Sequence, residues 1–395
     1  MERHKRQLSL RERTDFDISS AKRAIQQGIV KPKILRQCWE CKKYLEQGNM
    51  YCEEYAYGTL PEYVMFPKKE CEKFVPNKEI SFDECDEKLY GGIIGHCIGD
   101  ILRVSVEFSS REERCTDPVK EMRAYGTYSQ PFGTWSDDTS LSLCLIDAIG
   151  KDGDYEVVAN NFIAYMENGE FTPEGKMFDI GRTTQLSIEK MKQGVSPIEC
   201  GMKSENDNGN GSLMRILPLA FVKEKYSDAQ MSEYVKNISA LTHGHIRSII
   251  ACEFYVEMAY SLYKGNGKED AYRSAIKYIT DKYASSYPKE MQIYSRVLSE
   301  KILECNADEI RSTGYVVDSL EASLWVFFKG NSYREVVLDA VNLGGDTDTI
   351  GAIAGGLAGI YYGLSDISTR WIQSIRKLDF IKEEIEKFEK KIKLI

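Results

Sequence analysis

Two short acidic runs in this 395-residue chain carry side chains suited to hold hard divalent cations. The first is Gly133-Thr134-Trp135-Ser136-Asp137-Asp138-Thr139, which leads into an apolar stretch from Ser140. Adjacent carboxylates repel each other. A helix N-terminus offsets that repulsion only in part, whereas a divalent cation neutralises it, and carboxylate and hydroxyl oxygens suit Mg2+, Mn2+ or Ca2+. The second run is Asn342-Leu343-Gly344-Gly345-Asp346-Thr347-Asp348-Thr349. Here Asp346 and Asp348 flank Thr347, Thr349 adds a hydroxyl, and the paired glycines permit a tight turn before them. Each run also reads as an ordinary capped helix start, because Ser, Asp and Thr are favoured there. Two runs of one design supply four carboxylates, the number that two bridged cations would use.

Three further stretches could line a site. In Tyr90 to Asp100 the glycines fall at Gly91, Gly95 and Gly99, a spacing of four that makes one helical face for close packing. Asp100 reads as the end of that helix. Glu107, seven residues on, reads in isolation as a solvated surface carboxylate. The stretch is neither a phosphate loop nor a dinucleotide fingerprint, since it lacks the Lys-Ser/Thr ending and a preceding strand. Asn208-Gly209-Asn210-Gly211-Ser212-Leu213-Met214-Arg215 is rich enough in glycine to turn backbone N–H groups towards a phosphate, or to be a plain turn. Thr242-His243-Gly244-His245 offers His243 to a ligand hydroxyl; a zinc pair with His245 lacks a Cys or His companion nearby.

These loops need helices to hold them. Leu141, Leu145 and Ile149 share a face after the first acidic run. Ile246 to Tyr263, 317–328 and 333–341 read as further helices, and Ile381, Ile385, Phe388 and Ile392 as an amphipathic C-terminal one. Gly351, Gly355 and Gly359 follow the second acidic run and would bring it close to a neighbouring helix. Alternating strand patterns are scarce, so the expected fold class is mostly α. The style changes near residue 80. Residues 1–80 are expected to form a Cys-rich module and residues 81–395 the main domain. In the module Cys38, Cys41, Cys52 and Cys71 fit a structural Zn2+ site, or else remain reduced thiols in a loose arm. With 42% hydrophobic and 29% charged residues and a net charge of −9, the chain is globular. Its acidity argues against a nucleic-acid or membrane-surface binder. No apolar leader or membrane-length stretch is present, which points to the cytoplasm.

Taken in order, Gly91 to Glu107, Gly133 to Thr139, Phe178-Asp179-Ile180-Gly181-Arg182-Thr183-Thr184, Gly209 to Pro218, Leu241 to His245 and Gly344 to Gly359 resemble the ADP-ribosylglycohydrolase family. The resemblance spans about residues 88–365. It implies an all-α hydrolase with two Mg2+ or Mn2+ ions in a cleft, removing ADP-ribose from a modified acceptor, with an ADP-ribosylated protein as partner. By match to the family's motifs, Ser136, Asp137, Asp138, Asp346, Asp348, Thr349 and Glu107 would be metal ligands. Glu107, Asp138 and Asp346 would be the catalytic carboxylates. Asn208, Gly209, Asn210, Gly211, Ser212, Met214 and His243 would line the ADP-ribose site. Two alternatives stand beside this reading: a non-catalytic relative that binds ADP-ribose or a partner, and an immunity protein against an ADP-ribosylating toxin whose N-terminal module docks that protein. The retained oxygen donors favour the enzyme. Arg103 stands where the family usually has Gly, and is expected to reshape the cleft or to contact phosphate.

Overall fold

The computed structural model describes residues 80–151, 154–345 and 347–394, and only the backbone of residues 154, 347 and 348. Cys38, Cys41, Cys52, Cys71 and Asp346 therefore lie outside the described residues, as does nearly all of the expected N-terminal module.

Among the described residues, eleven helices have ten residues or more. They are α1 (Glu87–Val104), α2 (Asp137–Ala148), α3 (Asp154–Asn168), α4 (Arg182–Lys192), α5 (Asp228–Ala240), α6 (Ile246–Tyr263), α7 (Lys268–Tyr283), α8 (Val316–Lys329), α9 (Tyr333–Asn342), α10 (Thr347–Tyr362) and α11 (Leu378–Leu394). The described residues form no sheet, only isolated bridges such as Gly209 with Tyr315. The fold is all-α, as the family resemblance implies. No described helix is long and apolar enough to cross a membrane.

The central pair is α1 against α10, with α8 and α9 also packed on α10. Asp86 caps α1 by accepting from the amides of Lys88 and Leu89, each at 3.0 Å, and every residue from Leu89 to Val104 is buried. The two helices run antiparallel: Gly91 meets Gly359, Gly95 meets Gly355 and Gly99 meets Gly351. A methyl group on Gly95 would stand 2.6 Å from the Gly355 carbonyl oxygen, and one on Gly351 2.6 Å from that of Gly99. Only glycine allows this approach, because backbone atoms on the facing helix cannot move aside. Polar groups at the seam are satisfied: the Tyr333 hydroxyl donates to Gly95 O at 2.7 Å and the Tyr255 hydroxyl to Ile353 O at 2.9 Å. Antiparallel packing has one consequence for the site. The last turn of α1 lies beside the first turn of α10, so Asp100 and Arg103 are brought to the second acidic run.

Candidate active site

Asp100 does not end α1, which continues to Val104. Instead its buried carboxylate caps α2. The Ser136 amide donates to both its oxygens, at 3.1 and 3.0 Å, the Ser136 hydroxyl at 2.7 Å, the Thr139 amide at 3.2 Å and the Thr139 hydroxyl at 2.6 Å. Burial nevertheless pushes the Asp100 carboxyl up to about 6, with those hydrogen bonds opposing the shift. The loop before α2 is anchored from behind as well. The Trp135 indole donates to Phe171 O at 3.3 Å, and Gly133, at φ +74°, accepts from the Arg376 amide at 3.0 Å.

This anchoring puts Asp137 and Asp138 in the first turn of α2, both buried. Burial raises the Asp137 carboxyl far above the ordinary carboxylate range. The neighbouring charges of Asp179, Asp100 and Glu107 add to the rise, and a hydrogen bond from the Gly181 backbone opposes it. Beneath Asp138, the His96 ring contacts Asp138 O at 3.3 Å and the Ser142 hydroxyl at 3.2 Å. Its burial lowers it to about 4, so it is a neutral imidazole.

A cavity of about 310 Å³ opens at this point. Glu107, Asp137, Asp179 and Thr349 line it, together with Gly209, Asn210, Gly211, Met214 and His243. Residues 180–184 form another wall, and the exposed ring of Phe108 stands at its edge. Gly211 must be glycine, because a methyl group there would lie 2.8 Å from the His243 ring. That ring is held by Thr242, whose hydroxyl lies 2.7 Å from Nδ1. Burial, helped by the charge of Arg215, lowers His243 to about 3, so it meets a ligand as a neutral ring.

The structure thus brings Glu107, Asp137 and Thr349 of the expected ligand set to one cavity and keeps Ser136 and Asp138 directly behind it. The backbone of Asp348 starts α10 one residue before Thr349. Glu107 is 4% exposed, not solvated. Two expected substrate contacts are set differently. Asn208 and Ser212 are absent from the cavity wall. Asn208 donates to Glu205 O at 3.1 Å and accepts from Ser248 at 3.2 Å, while Ser212 bonds Ser239 at 3.0 Å; they hold the glycine loop from behind. The loop's amides are partly committed too, since Asn210 N donates to Gly314 O at 3.0 Å. Arg103 neither lines the cavity nor awaits a phosphate. It is fully buried, donates to Gly345 O at 2.9 Å and pairs with Glu107 at 3.8 Å, tying α1 to the turn before α10. Asp179 was not singled out as a site residue from the sequence. Its only signal was its place in the matched Phe178 to Thr184 stretch.

Among the described residues, one group of His and carboxylate side chains has ligand atoms close enough for one ion, and it is not among the residues that line the cavity: Glu205, His245 and Glu290. Arg247 already lies between the two carboxylates, at 2.9 Å from Glu205 and 2.8 Å from Glu290. The guanidinium offsets one of their two charges and occupies both carboxylates, so this is an ion-pair network in which a cation would have to displace an arginine.

An all-α scaffold here brings Asp137 from the start of α2 and Thr349 from the start of α10 to one cavity, beside Glu107 and Asp179. The chain belongs to the ADP-ribosylglycohydrolase family, whose sequence model matches residues 82–394. It is 31% identical over 292 residues to ADP-ribosylarginine hydrolase Tri1 of Pseudomonas putida (strain GB-1), covering 73% of this chain and 74% of that protein. It is 27% identical over 298 residues to the ADP-ribosyl-dinitrogen reductase glycohydrolase of Rhodospirillum rubrum, covering 73% and 90%. A solved structure described as an ADP-ribosylglycohydrolase-related protein complex superposes with a TM-score of 0.64 at 27% identity, covering 78% of this chain and 98% of that one.

Proposed function

We propose that the protein hydrolyses the glycosidic bond between ADP-ribose and a modified protein side chain, with arginine as the acceptor. The observation that carries this reading is the crowding of Glu107, Asp137 and Asp179 around one small cavity. The arginine acceptor follows the relatives named ADP-ribosylarginine hydrolases.

The donor set fits the two Mg2+ or Mn2+ ions that the family implies. Each helix N-terminus offers roughly half a positive charge. Two of them, with Arg103 beside Glu107, leave more than half of the charge of Glu107, Asp137, Asp138, Asp346 and Asp348 unbalanced. Ser136, Asp137, Asp138, Asp346, Asp348, Thr349 and Glu107 would hold the ions through hard oxygens. Ser136 remains able to ligate, because its hydroxyl donates its proton to Asp100 and keeps its lone pairs. When bound, such ions would orient the ribose hydroxyls and make a water more acidic.

The chain's own residues account for the rest. His243 and the Gly209 to Gly211 loop receive the polar body of the ligand. Glu107 or Asp179 takes the proton of the attacking water and passes it to the acceptor nitrogen, whose bond to the anomeric carbon breaks as the water oxygen bonds there, while Asp138 and Asp346 would act through the ions they hold. For the remainder of the chain we propose a separate Cys-rich module over residues 1–80, with Cys38, Cys41, Cys52 and Cys71 on Zn2+ and a role in docking the modified protein.

The test is release of ADP-ribose from arginine-linked and serine-linked substrates, with Mg2+ and with a chelator. Arginine-linked turnover should vanish in chelator and return with Mg2+ or Mn2+. Asp346→Asn should lower it by at least about 100-fold, beyond the range usual for residues that merely support a metal ligand. Near-normal turnover of that variant at saturating Mg2+ would overturn the assignment.

A further inference from the structure

Phe108 lines the cavity, yet the residue is 66% exposed. It also has φ +59°. Left-handed backbone is costly for a residue with a bulky side chain, and glycine would remove that cost. Burial does not offset it here, because the ring stands mostly in water. Such strain persists where the surrounding structure over-determines it, often at ligand clamps.

The chain on either side fixes where the ring stands. The Thr127 hydroxyl, in the loop around Tyr128, donates to Glu107 O at 2.8 Å. The Gly345 amide donates to Ser109 O at 2.8 Å, and the Ser109 amide to Val106 O at 3.1 Å. On its protein side the ring meets the buried guanidinium of Arg103, whose Cζ lies 5.8 Å from the ring centroid. That is near the outer limit of a cation–π contact, about 6 Å. Arg103 is already held by Gly345 O and Glu107, so it does not by itself account for the ring. What remains is an aromatic surface turned to solvent at the cavity mouth, one residue from Glu107.

We propose that Phe108 determines acceptor specificity: its exposed ring receives the guanidinium of an ADP-ribosylated arginine as the modified side chain enters the cavity. This rests on the hydrolase reading above. A side chain of another protein reaches the cavity only from solvent, so it passes the edge where Phe108 stands. A glycosylated guanidinium is planar and cationic, and such a group stacks on an aromatic face. Glu107 and Asp179 in the same cavity attract a cation without fixing its plane, whereas a ring fixes it. A serine-linked acceptor carries no cation and gains nothing from the ring.

The acceptor half of the site can be probed without turnover. With the full chain loaded with Mg2+ and ADP-ribose, calorimetry measures binding of N-acetylarginine amide and of its uncharged isostere, N-acetylcitrulline amide. The wild type should prefer the arginine probe. That preference should fall about 3- to 30-fold in Phe108→Leu, which keeps an apolar side chain and removes the ring, and stay within about twofold in Phe108→Tyr, which keeps the aromatic face. Affinity for ADP-ribose, which lacks the cation, should change by less than about twofold in both variants. On ADP-ribosylarginine, kcat/KM of Phe108→Leu should fall by the same factor as the preference. A preference in Phe108→Leu within about twofold of wild type, or a loss shared equally by ADP-ribose affinity, overturns the proposal. A wild-type protein that shows the ring-dependent preference but releases ADP-ribose from no substrate refutes the hydrolase reading and leaves the ring a guanidinium platform. Wild-type turnover of ADP-ribosylarginine by Phe108→Leu does the reverse.

Discussion

Asp100→Asn isolates the contribution of one buried carboxylate to the geometry of the first acidic run. Both oxygens of Asp100 are in use: Oδ1 takes the Ser136 hydroxyl at 2.7 Å, and Oδ2 takes the Thr139 amide at 3.2 Å and hydroxyl at 2.6 Å. An asparagine can keep one oxygen. If the oxygen faces Thr139, it keeps both Thr139 bonds and the Ser136 amide at 3.0 Å, and the new NH2 group meets the Ser136 hydroxyl, which must turn to accept. If it faces Ser136, the Thr139 amide meets a donor. The first orientation keeps every backbone N–H bonded but without the carboxylate charge, and the second leaves the Thr139 amide without an acceptor; the cost is about 1–3 kcal/mol. Removing a carboxylate whose burial is unfavourable, as its rise to about 6 records, returns part of that. The net loss in unfolding free energy should therefore be about 1–2 kcal/mol. Activity should suffer more. Ser136, Asp137 and Asp138 take their positions from this cap, so turnover should drop on the order of 10- to 100-fold, with a higher Mg2+ requirement. Urea melts and ADP-ribose release over a Mg2+ series measure the two effects. If the variant melts a little earlier but keeps wild-type turnover and Mg2+ dependence, Asp100 supports only the helix and the reasoning fails.

Two other outcomes follow from the same framework. Gly351→Ala places a methyl group 2.6 Å from Gly99 O, so α1 and α10 must part, at about 1–3 kcal/mol. Because Thr349 is two residues away, turnover should fall out of proportion to the melting temperature; equal retention of both would show the seam to be pliable. For pH, His243 is held down to about 3 by burial and Arg215, while an unfolded chain binds that proton near 6.5. The contribution is thus complete above pH 6.5 and is lost as pH falls from there through about 3, at up to about 1.4 kcal/mol per pH unit. Denaturant melts between pH 7 and 4 should show His243→Gln with a shallower acid loss than wild type, and parallel slopes would contradict this.

What could be read from the chain alone was whatever is written in local periodicity. The glycines at 91, 95 and 99 and those at 351, 355 and 359 mark close-packed helical faces because a helix repeats at that spacing, and the structure sets those two faces against each other. The boundaries of Ile246–Tyr263 and of Tyr333–Asn342 were likewise legible within a residue, since each is a largely apolar stretch without Pro or Gly. Roles that depend on a distant partner were not. Asp100 looks like a helix terminator until the helix it caps, α2, is seen beside it. Glu107 looks solvated until Arg103 and the loop around Tyr128 enclose it. Arg103 looks like a cleft intruder until its guanidinium is found on Gly345 O. In each case the deciding contact joins residues separated by a loop or by most of the domain, and a charge in a short window carries no sign of what will surround it. Asp179 makes the same point most sharply. No acidic neighbour flanks it in sequence, yet its charge is the largest electrostatic influence on Asp137. A buried carboxylate becomes a functional candidate through the company the fold gives it, and here that company depends on the glycine seam that sets the end of α1 beside the start of α10.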